Sequence, residues 1–292
     1  MLAKSIAMTY KFMPELPEVE TTKNGIYPHL MGQTIIGIII RNPNLRWPVA
    51  KDLPEILQQR KVINIFRRAK YIIIKFEHGH LLIHLGMTGI LKVIEDNNAP
   101  IDKHAHVDFL LANKTCLRYQ DPRRFGSIVW TTDELQNVKA LKHLGPEPLS
   151  TQFNATYLLS KTKNRQVAIK SLIMNQEIVV GVGNIYANEA LFISKIHPLL
   201  PAKQLTLTQG KKLIDAIKLI LEKAIKQGGT TLNDYRNIDG KPGYFQQQLL
   251  VYGRNKAPCP ICQTPISMCR VGQRSTFFCQ KCQANQSLII IK

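Results

Sequence analysis

The chain has 292 residues, of which 45% are hydrophobic and 20% are charged, a composition typical of a folded protein with two or three cores. This composition excludes a collagen, a disulfide-dense miniprotein and a disordered chain, and no apolar run is long enough to predict a membrane span. Lysine and arginine number 39 against 20 acidic residues, so the net charge of +19 favours a polyanionic partner such as a nucleic acid.

The N-terminal residues 1–12 lack the continuous apolar region of a secretion signal, so we expect an intracellular protein. A helix is predicted to start within residues 18–24. The reason is that Pro17 stands immediately before this stretch, and proline is favoured in the first turn of a helix.

A series of short strands is predicted next. Each is rich in β-branched residues and is bounded by turn residues. The predicted strands cover residues 34–41, 61–65, 71–76, 80–85, 89–94, 106–111, 115–119 and 127–131. So many strands without helical patterns between them indicate a sandwich or a barrel-like β domain.

Pro146 and Pro148 mark a change of pattern, and the residues after them are predicted to be helical. The clearest helix covers residues 206–227, where apolar residues repeat at helical spacing until Gly228 and Gly229 end it. This part of the chain is the more basic, since residues 161–292 include 19 basic and 6 acidic residues. No run of five like charges occurs, which indicates a folded basic surface rather than a charged tail.

Four cysteines near the C-terminus form two C-x2-C pairs with 16 residues between the pairs. They are Cys259, Cys262, Cys279 and Cys282. Two tight turns that each offer two thiolates complete a tetrahedral site for one structural Zn²⁺, and a segment this small would obtain its folding free energy from the metal. A pair of disulfides is the alternative, which the absence of a secretion signal disfavours. His78, His80 and His84 alternate along a predicted strand and form a weaker candidate for a second metal site.

The stretch MPELPEVET at 13–21 carries the most specific chemistry. If Met13 is the start and is removed, Pro14 has a free secondary amine, and an α-amino pKa of about 8 leaves part of it unprotonated at neutral pH. Attack of this amine on a sugar carbon gives an iminium, an electron sink that drives elimination of phosphates, and Glu15 could protonate the sugar oxygen or shuttle protons. The alternative is that Pro14 and Pro17 only shape the entry to a helix.

Ten short motifs run through nearly the whole chain. They are MPELPEVET at 13–21, RRAKY at 67–71, HLGMTG at 84–89, KHAHVD at 103–108, DPRRFG at 121–126, LGPEPL at 144–149, VVGVGNIYANEALF at 179–192, QGGTTL at 227–232, DGKPGYF at 239–245 and QRSTFFCQKC at 273–282. In this order they resemble the motifs of the formamidopyrimidine-DNA glycosylase family, bacterial enzymes that repair oxidised purines.

The resemblance implies an α+β multidomain fold. An N-terminal β-sandwich would cover residues 13–145, a helix–two-turn–helix domain residues 146–249 and a zinc-finger β-hairpin residues 250–284, with an extension at 1–12 and a tail at 285–292. It also implies a monomeric, cytoplasmic and nucleoid-associated enzyme that binds damaged double-stranded DNA between its domains. Such an enzyme excises 8-oxoguanine and formamidopyrimidines and then cuts the abasic strand by β,δ-elimination.

Catalytic roles follow from the resemblance residue by residue. Pro14 matches the Schiff-base nucleophile and Glu15 the acid, while Lys70 matches the proton donor of β-elimination and Arg274 the donor assigned to δ-elimination. From the residues alone, Lys70 beside two arginines is typical of a phosphate clamp or a solvated face. Arg274 by itself would be a generic phosphate contact, since a planar guanidinium suits phosphate.

Further residues match DNA contacts of the family. They are His104, Arg123 and Arg165 for the backbone or the opposite strand, and Met87, Arg123 and Phe125 for the gap left by the flipped nucleotide. Arg165 matches only by spacing and basic character. Asn184 stands at a predicted helix start, where backbone N–H groups can take a phosphate. An isolated Met87 or Phe125 would more often belong to a core.

Residues 1–12 depart from the family pattern. If they remain attached, the nitrogen of Pro14 is an amide and the proposed chemistry fails, so we favour translation from Met13 over later cleavage or an inactive protein. A zinc-bearing DNA-binding protein without catalysis explains the charge and the cysteines equally well. Within the enzymes, the related endonuclease VIII group prefers oxidised pyrimidines, but PELPE at 14–18 and DPRRFG at 121–126 favour the purine group.

Overall fold

The computed structural model describes residues 14–95, 100–229 and 248–284. The extension at 1–12, the tail at 285–292 and the motif at 239–245 lie outside these ranges. Within them, every helix is too short or too polar to cross a membrane.

The first part of the chain is a sandwich of two antiparallel sheets preceded by a helix. Its helices are α1 (Leu16–Leu30) and α2 (Leu53–Leu57), and its strands are β1 (Thr34–Ile40), β2 (Arg60–Lys61), β3 (Asn64–Arg68), β4 (Tyr71–Phe76), β5 (Gly79–His84), β6 (Ile90–Ile94), β7 (Ala105–Leu111), β8 (Cys116–Gln120) and β9 (Ser127–Thr131). One sheet has the order β2-β1-β7-β8-β6 and the other the order β3-β4-β5-β9. Apolar residues of both sheets form one core between them, which confirms the predicted sandwich.

The predicted strand at 61–65 is wrong. Lys61 ends β2, which pairs with β1 in the first sheet, and Asn64 begins β3, which pairs with β4 in the second. The chain changes sheet at Val62 and Ile63, so one run of β-favouring residues serves two strands.

Helix α1 begins at Leu16, before the predicted start within 18–24. The Glu18 carboxylate accepts the backbone N–H of Glu15 at 2.9 Å, which caps the helix one residue before Leu16. Pro17 then occupies an early position of the helix, where its missing N–H is not needed. Because α1 packs against both the sandwich and the last helix of the chain, its N-terminus lies at the junction of the two parts.

The second part of the chain is helical. It contains α3 (Ala155–Thr162), α4 (Ile169–Ile173), α5 (Asn184–Ile193), a short 3-10 turn (Ala202–Gln204) and α6 (Leu207–Lys226). Helix α6 agrees with the prediction for 206–227, because Thr206 caps it through Gln209 and the two glycines after it have positive φ. Helix α5 is buried on almost every side and lies at the centre of this core.

A β-hairpin near the C-terminus completes the fold. Its strands β10 (Ser267–Val271) and β11 (Arg274–Phe278) are joined by Gly272 and Gln273, whose φ angles of +53° and +63° fit a two-residue turn. Phe277 is fully buried in the helical core, and its N–H donates to Oδ1 of Asn188 on α5 at 2.8 Å. The hairpin is therefore fixed to α5. The α+β fold with a sandwich, a helical part and a cysteine-bearing hairpin is confirmed, while the exact boundaries at 145 and 249 stay predictions.

Candidate active site

Residues far apart in the sequence meet where the sandwich, α5 and the hairpin come together. Glu15 caps α1, Lys70 lies in the turn between β3 and β4, and Arg274 begins β11. Lys70 lies within electrostatic range of Glu15, Glu18 and Arg274, since the charges of these groups shift its pKa. Pro14 is buried next to Glu15. The structure thus brings the four predicted catalytic residues into one region.

The Glu15 carboxylate is buried against the first turn of α5. It accepts the N–H groups of Ile185 at 3.1 Å and of Tyr186 at 3.5 Å, two of the donors that a helix N-terminus leaves without an internal partner. Gly183 is required here because a Cβ at that position would collide with the carboxyl group of Glu15. The anion held by these two N–H groups is therefore Glu15, rather than the phosphate that the sequence suggested for this helix start.

Burial raises the pKa of Glu15 to about 7, while the charge of Lys70 opposes this rise. A carboxyl group with this pKa retains a proton near neutral pH. It can therefore donate a proton to a reacting atom, as a general acid must.

Lys70 is half-buried, and its pKa is lowered chiefly by burial. The positive charge of Arg274 adds to this lowering, whereas the carboxylates of Glu15 and Glu18 oppose it. The ammonium of Lys70 consequently releases its proton more readily than that of an exposed lysine.

The position of Arg274 is set by the residue that follows it. The carbonyl oxygen of Ser275 accepts the Nζ of Lys170 at 3.0 Å and the Nδ2 of Asn184 at 3.1 Å. Nζ of Lys170 also donates to Oγ1 of Thr276 at 2.7 Å, and burial lowers the pKa of this lysine to about 7. Arg274 itself is exposed, so its guanidinium is free to meet a ligand while its backbone is fixed.

Sequence reasoning missed two residues in this region. Lys170 is 1% exposed, and its only signal was a lysine within a short helix that is otherwise mostly apolar. His84, considered before only as a metal ligand, lies near Lys70, and burial together with Lys70 and Arg46 lowers its pKa to about 4. Because its Nδ1 accepts the N–H of Gly86 at 3.0 Å, the neutral ring carries its proton on Nε2 and can donate it.

Two neighbouring loops carry Met87 and Phe125. The carboxylate of Asp121 joins them, since it accepts Oγ1–H of Thr88 at 2.6 Å and the N–H of Gly126 at 2.8 Å. Phe125 is 45% exposed, and the guanidinium of Arg123 lies over its ring at 4.6 Å. The predicted trio therefore occupies a single surface.

His104 and Arg123 line a cavity of about 360 Å³ beside these loops. Nη1 of Arg123 is buried, and among the described residues it has no hydrogen-bond partner. Arg165 lies apart from this cavity, exposed in the loop after α3. Its backbone pairs with Thr162 and Lys203.

The four paired cysteines form the only group of potential metal ligands in the described ranges, so His78, His80 and His84 do not form a second site. The four cysteine Sγ atoms lie within 4.8 Å of one another, with 3.4 Å between Cys262 and Cys279 and 3.9 Å between Cys259 and Cys282. These distances exceed a disulfide bond and are close to the roughly 3.8 Å expected between two thiolates on one tetrahedral zinc ion. All six cysteines of the chain are free, so the disulfide alternative is wrong and the set fits one structural Zn²⁺.

Three family models of known proteins match successive parts of the chain. Residues 13–128 match the family model of the formamidopyrimidine-DNA glycosylase N-terminal domain, residues 144–236 that of the formamidopyrimidine-DNA glycosylase H2TH domain, and residues 257–285 that of a zinc finger found in FPG and IleRS. The formamidopyrimidine-DNA glycosylases of Hydrogenovibrio crunogenus and Vibrio cholerae are 56% and 49% identical to the chain over 271 residues. These alignments cover 93% of the chain and 96% and 100% of those proteins.

Solved structures show the same likeness. The Fpg protein of Thermus thermophilus has a TM-score of 0.82 at 36% identity, with 93% of this chain and 99% of that chain covered. The Fpg protein of Lactococcus lactis, in a complex with DNA that contains Fapy-dG, has a TM-score of 0.84 at 34% identity, with 93% and 100% covered.

Proposed function

Since the chain belongs to the formamidopyrimidine-DNA glycosylase family, whose members remove oxidised purines in DNA repair, we propose that it also cleaves the resulting abasic strand as a lyase. The observation that carries this proposal is the meeting of Pro14 and Glu15 with Lys70 and Arg274. A secondary amine beside a carboxyl group that is protonated near neutral pH, with a lysine and an arginine at hand, is suited to Schiff-base chemistry.

Base release begins with the nitrogen of Pro14. Its lone pair forms a bond to the sugar carbon while the bond from that carbon to the damaged base breaks, and the proton that the new ammonium releases is taken up by the departing base. Glu15, with its pKa raised to about 7, protonates the ring oxygen of the sugar as the ring opens to the iminium. The products at this stage are a free base and a covalent link between enzyme and DNA.

Strand cleavage uses the iminium as an electron sink. The Glu15 carboxylate, which has given its proton to the ring oxygen, accepts a proton from the adjacent carbon as the 3′ phosphate leaves in β-elimination. A second elimination, in which the sugar loses another proton to solvent, expels the 5′ phosphate. Lys70, whose pKa is lowered by burial, supplies the proton in the first elimination, and Arg274 acts in the second. The guanidinium of Arg274 is exposed and its backbone is fixed, so this side chain is suited to hold the flanking phosphate.

The damaged nucleotide must leave the helix before this chemistry, because its glycosidic carbon is inaccessible in stacked DNA. We propose that Met87, Arg123 and Phe125 fill the gap, and that His104, Arg123 and Arg165 contact the DNA backbone or the opposite strand. The four cysteines would hold a zinc ion that stabilises the hairpin carrying Arg274. We propose that the enzyme acts as a monomer on the bacterial nucleoid.

The proposed chemistry requires Pro14 to be the first residue of the active protein. The match to the family model begins at residue 13, which supports translation from Met13 followed by its removal. The intact mass of protein purified from its natural source tests this directly. A mass that includes residues 1–12 in active enzyme would overturn the proposal.

Borohydride trapping tests the lyase reaction itself. Protein produced from Met13 is mixed with a duplex containing 8-oxoguanine and reduced, and we expect a stable covalent adduct. The 292-residue chain with its extension attached is the matched control, and it should form none. DNA binding without an adduct from either protein would favour a DNA-binding protein without catalysis. A preference for thymine glycol over 8-oxoguanine in parallel duplexes would favour the endonuclease VIII group.

A further inference from the structure

The turn that carries Lys70 has a backbone conformation that its own residues do not favour. Ala69 and Lys70 connect β3 to β4, where Arg68 pairs with Tyr71. Ala69 has a φ of +53°, in the left-handed region where a residue with a Cβ is strained and glycine is usual. Such a conformation persists only where the surrounding structure imposes it.

The backbone N–H and carbonyl of Ala69 are both hydrogen-bonded to side chains from outside the turn. Its N–H donates to the Glu147 carboxylate at 2.8 Å, and its carbonyl accepts Nη1 of Arg67 at 2.9 Å. The same nitrogen of Arg67 donates to Oε2 of Glu147 at 2.7 Å, while Arg68 donates to Oε1 at 2.9 Å. One carboxylate therefore binds three consecutive residues before Lys70.

Glu147 is itself fixed to the helical part of the chain. Nη2 of Arg68 donates to the carbonyls of Leu144 and Gly145 at 3.1 and 2.7 Å, close to Glu147. The N–H of Gly145 donates to the carbonyl of Gln176 at 2.8 Å. Gln176 in turn accepts the N–H of Gly181 at 2.9 Å through its side chain, just before α5. The turn of Lys70 is thus anchored to the segment that leads into the helix holding Glu15.

We propose that Glu147 is a positioning residue for Lys70. Its carboxylate maintains the left-handed conformation of Ala69, and this conformation directs Lys70 toward Glu15. The inference rests on the proposed function, because Glu147 acts only through the step that Lys70 performs. Loss of the carboxylate should allow the turn to relax, and a small displacement of a reacting group can slow a reaction up to about a hundredfold.

A double-mutant cycle tests this role. The rate of strand cleavage is measured in single turnover on a duplex with a preformed abasic site, using the form of the protein that is active in trapping. We expect Glu147→Ala to cleave about tenfold more slowly, and Glu147→Gln to lose less because its amide oxygen can still accept the N–H of Ala69. Lys70→Ala should be slower still, and Glu147→Ala should cause no further loss in the Lys70→Ala background.

The matched control is Glu134→Ala, because Glu134 is an exposed carboxylate whose side chain contacts Gln136. It should leave the rate unchanged. Wild-type rates for both Glu147 variants would overturn the inference. Losses that add to that of Lys70→Ala would also overturn it, since they would indicate a general structural role.

Thermal unfolding separates misfolding from misplacement. If Glu147→Ala does not fold, Glu147→Gln is combined with Ala69→Gly, since glycine removes the strain at +53°. We expect Ala69→Gly to restore part of the cleavage rate that Glu147→Gln loses. A double variant that is as slow as Glu147→Gln alone would overturn the inference. Failure of the proposed function has a different result: the wild type would not cleave, or Lys70→Ala would cleave as fast as the wild type, which would overturn both proposals.

Discussion

The carboxyl group of Glu15 keeps its proton at a pH where an exposed glutamate has lost it. Its pKa is raised to about 7 by burial, so between its ordinary value of 4.5 and pH 7 the folded protein binds a proton that the unfolded chain has released. The free energy of unfolding should therefore fall as the pH rises through this interval, by roughly 3–4 kcal/mol, and level off above it. Urea unfolding at pH 5, 6, 7 and 8 measures this slope.

Glu15→Gln should remove that part of the slope, because an amide does not titrate. Glu134→Gln, which changes an exposed carboxylate, should retain it. If the free energy of unfolding of Glu15→Gln still falls between pH 5 and 7, a group other than Glu15 binds the proton.

The same protonation should govern base release. Between pH 7 and 8 the gain in unprotonated Pro14 amine offsets the loss of the Glu15 acid form, so the rate of base release in single turnover should be level there and should fall above about pH 8. Glu15→Gln should be far slower at every pH and should show no such decline. A wild-type rate that keeps rising to pH 9 would indicate that another group supplies the proton.

At the scale of elements, local patterns predicted most of the strands because alternation and turn residues are encoded within a few positions. The strands at 71–76 and 127–131 agree with the structure at both ends. The single run at 61–65 failed because its division between two sheets depends on pairing partners distant in sequence. The roles of Lys170, His84 and Glu147 were missed for the same reason, since each depends on contacts that only the fold creates. The cysteine spacing, by contrast, was sufficient to predict the metal-ligand group.

The hairpin depends on α5 through the Asn188 side chain. Oδ1 of Asn188 accepts the buried N–H of Phe277, so Asn188→Ala removes this hydrogen bond between α5 and the hairpin. We expect a loss of about 1–3 kcal/mol in the free energy of unfolding. Ser160→Ala, a change on the exposed face of α3, is the control and should alter the stability by less than about 0.5 kcal/mol. A loss no larger than that of the control would mean that the hairpin does not depend on this bond.

A bound zinc ion should also stabilise the fold of the hairpin. Purified protein should contain one zinc per chain, and its removal by a chelator should expose the hairpin to protease while the sandwich core keeps its structure. Strand cleavage should then be lost because Arg274 is no longer held, and added zinc should restore it. The control is Cys116→Ala, a change at a buried cysteine of the sandwich, which should leave the zinc content unchanged. Full cleavage by metal-free protein would contradict this account.

At the scale of the whole molecule, the net charge of +19 provides an attraction to DNA that does not depend on sequence. Each phosphate contact contributes about 0.9 to the slope of log affinity against log salt concentration. Arg165 is exposed and lies apart from the cavity that Arg123 and His104 line. Arg165→Ala should therefore reduce the slope by about one, and it should weaken binding to damaged and undamaged duplexes alike.

Phe125 offers the contrasting case, because it is exposed and uncharged. Phe125→Ala should leave the salt slope unchanged and weaken binding to the damaged duplex by roughly tenfold, since contact between an aromatic ring and a base contributes about 1–3 kcal/mol. Fluorescence anisotropy titrations of both duplexes at several potassium chloride concentrations measure both effects. An unchanged slope in Arg165→Ala would mean that this arginine does not contact a phosphate. Equal weakening on both duplexes in Phe125→Ala would mean that the ring does not enter the gap left by the flipped nucleotide.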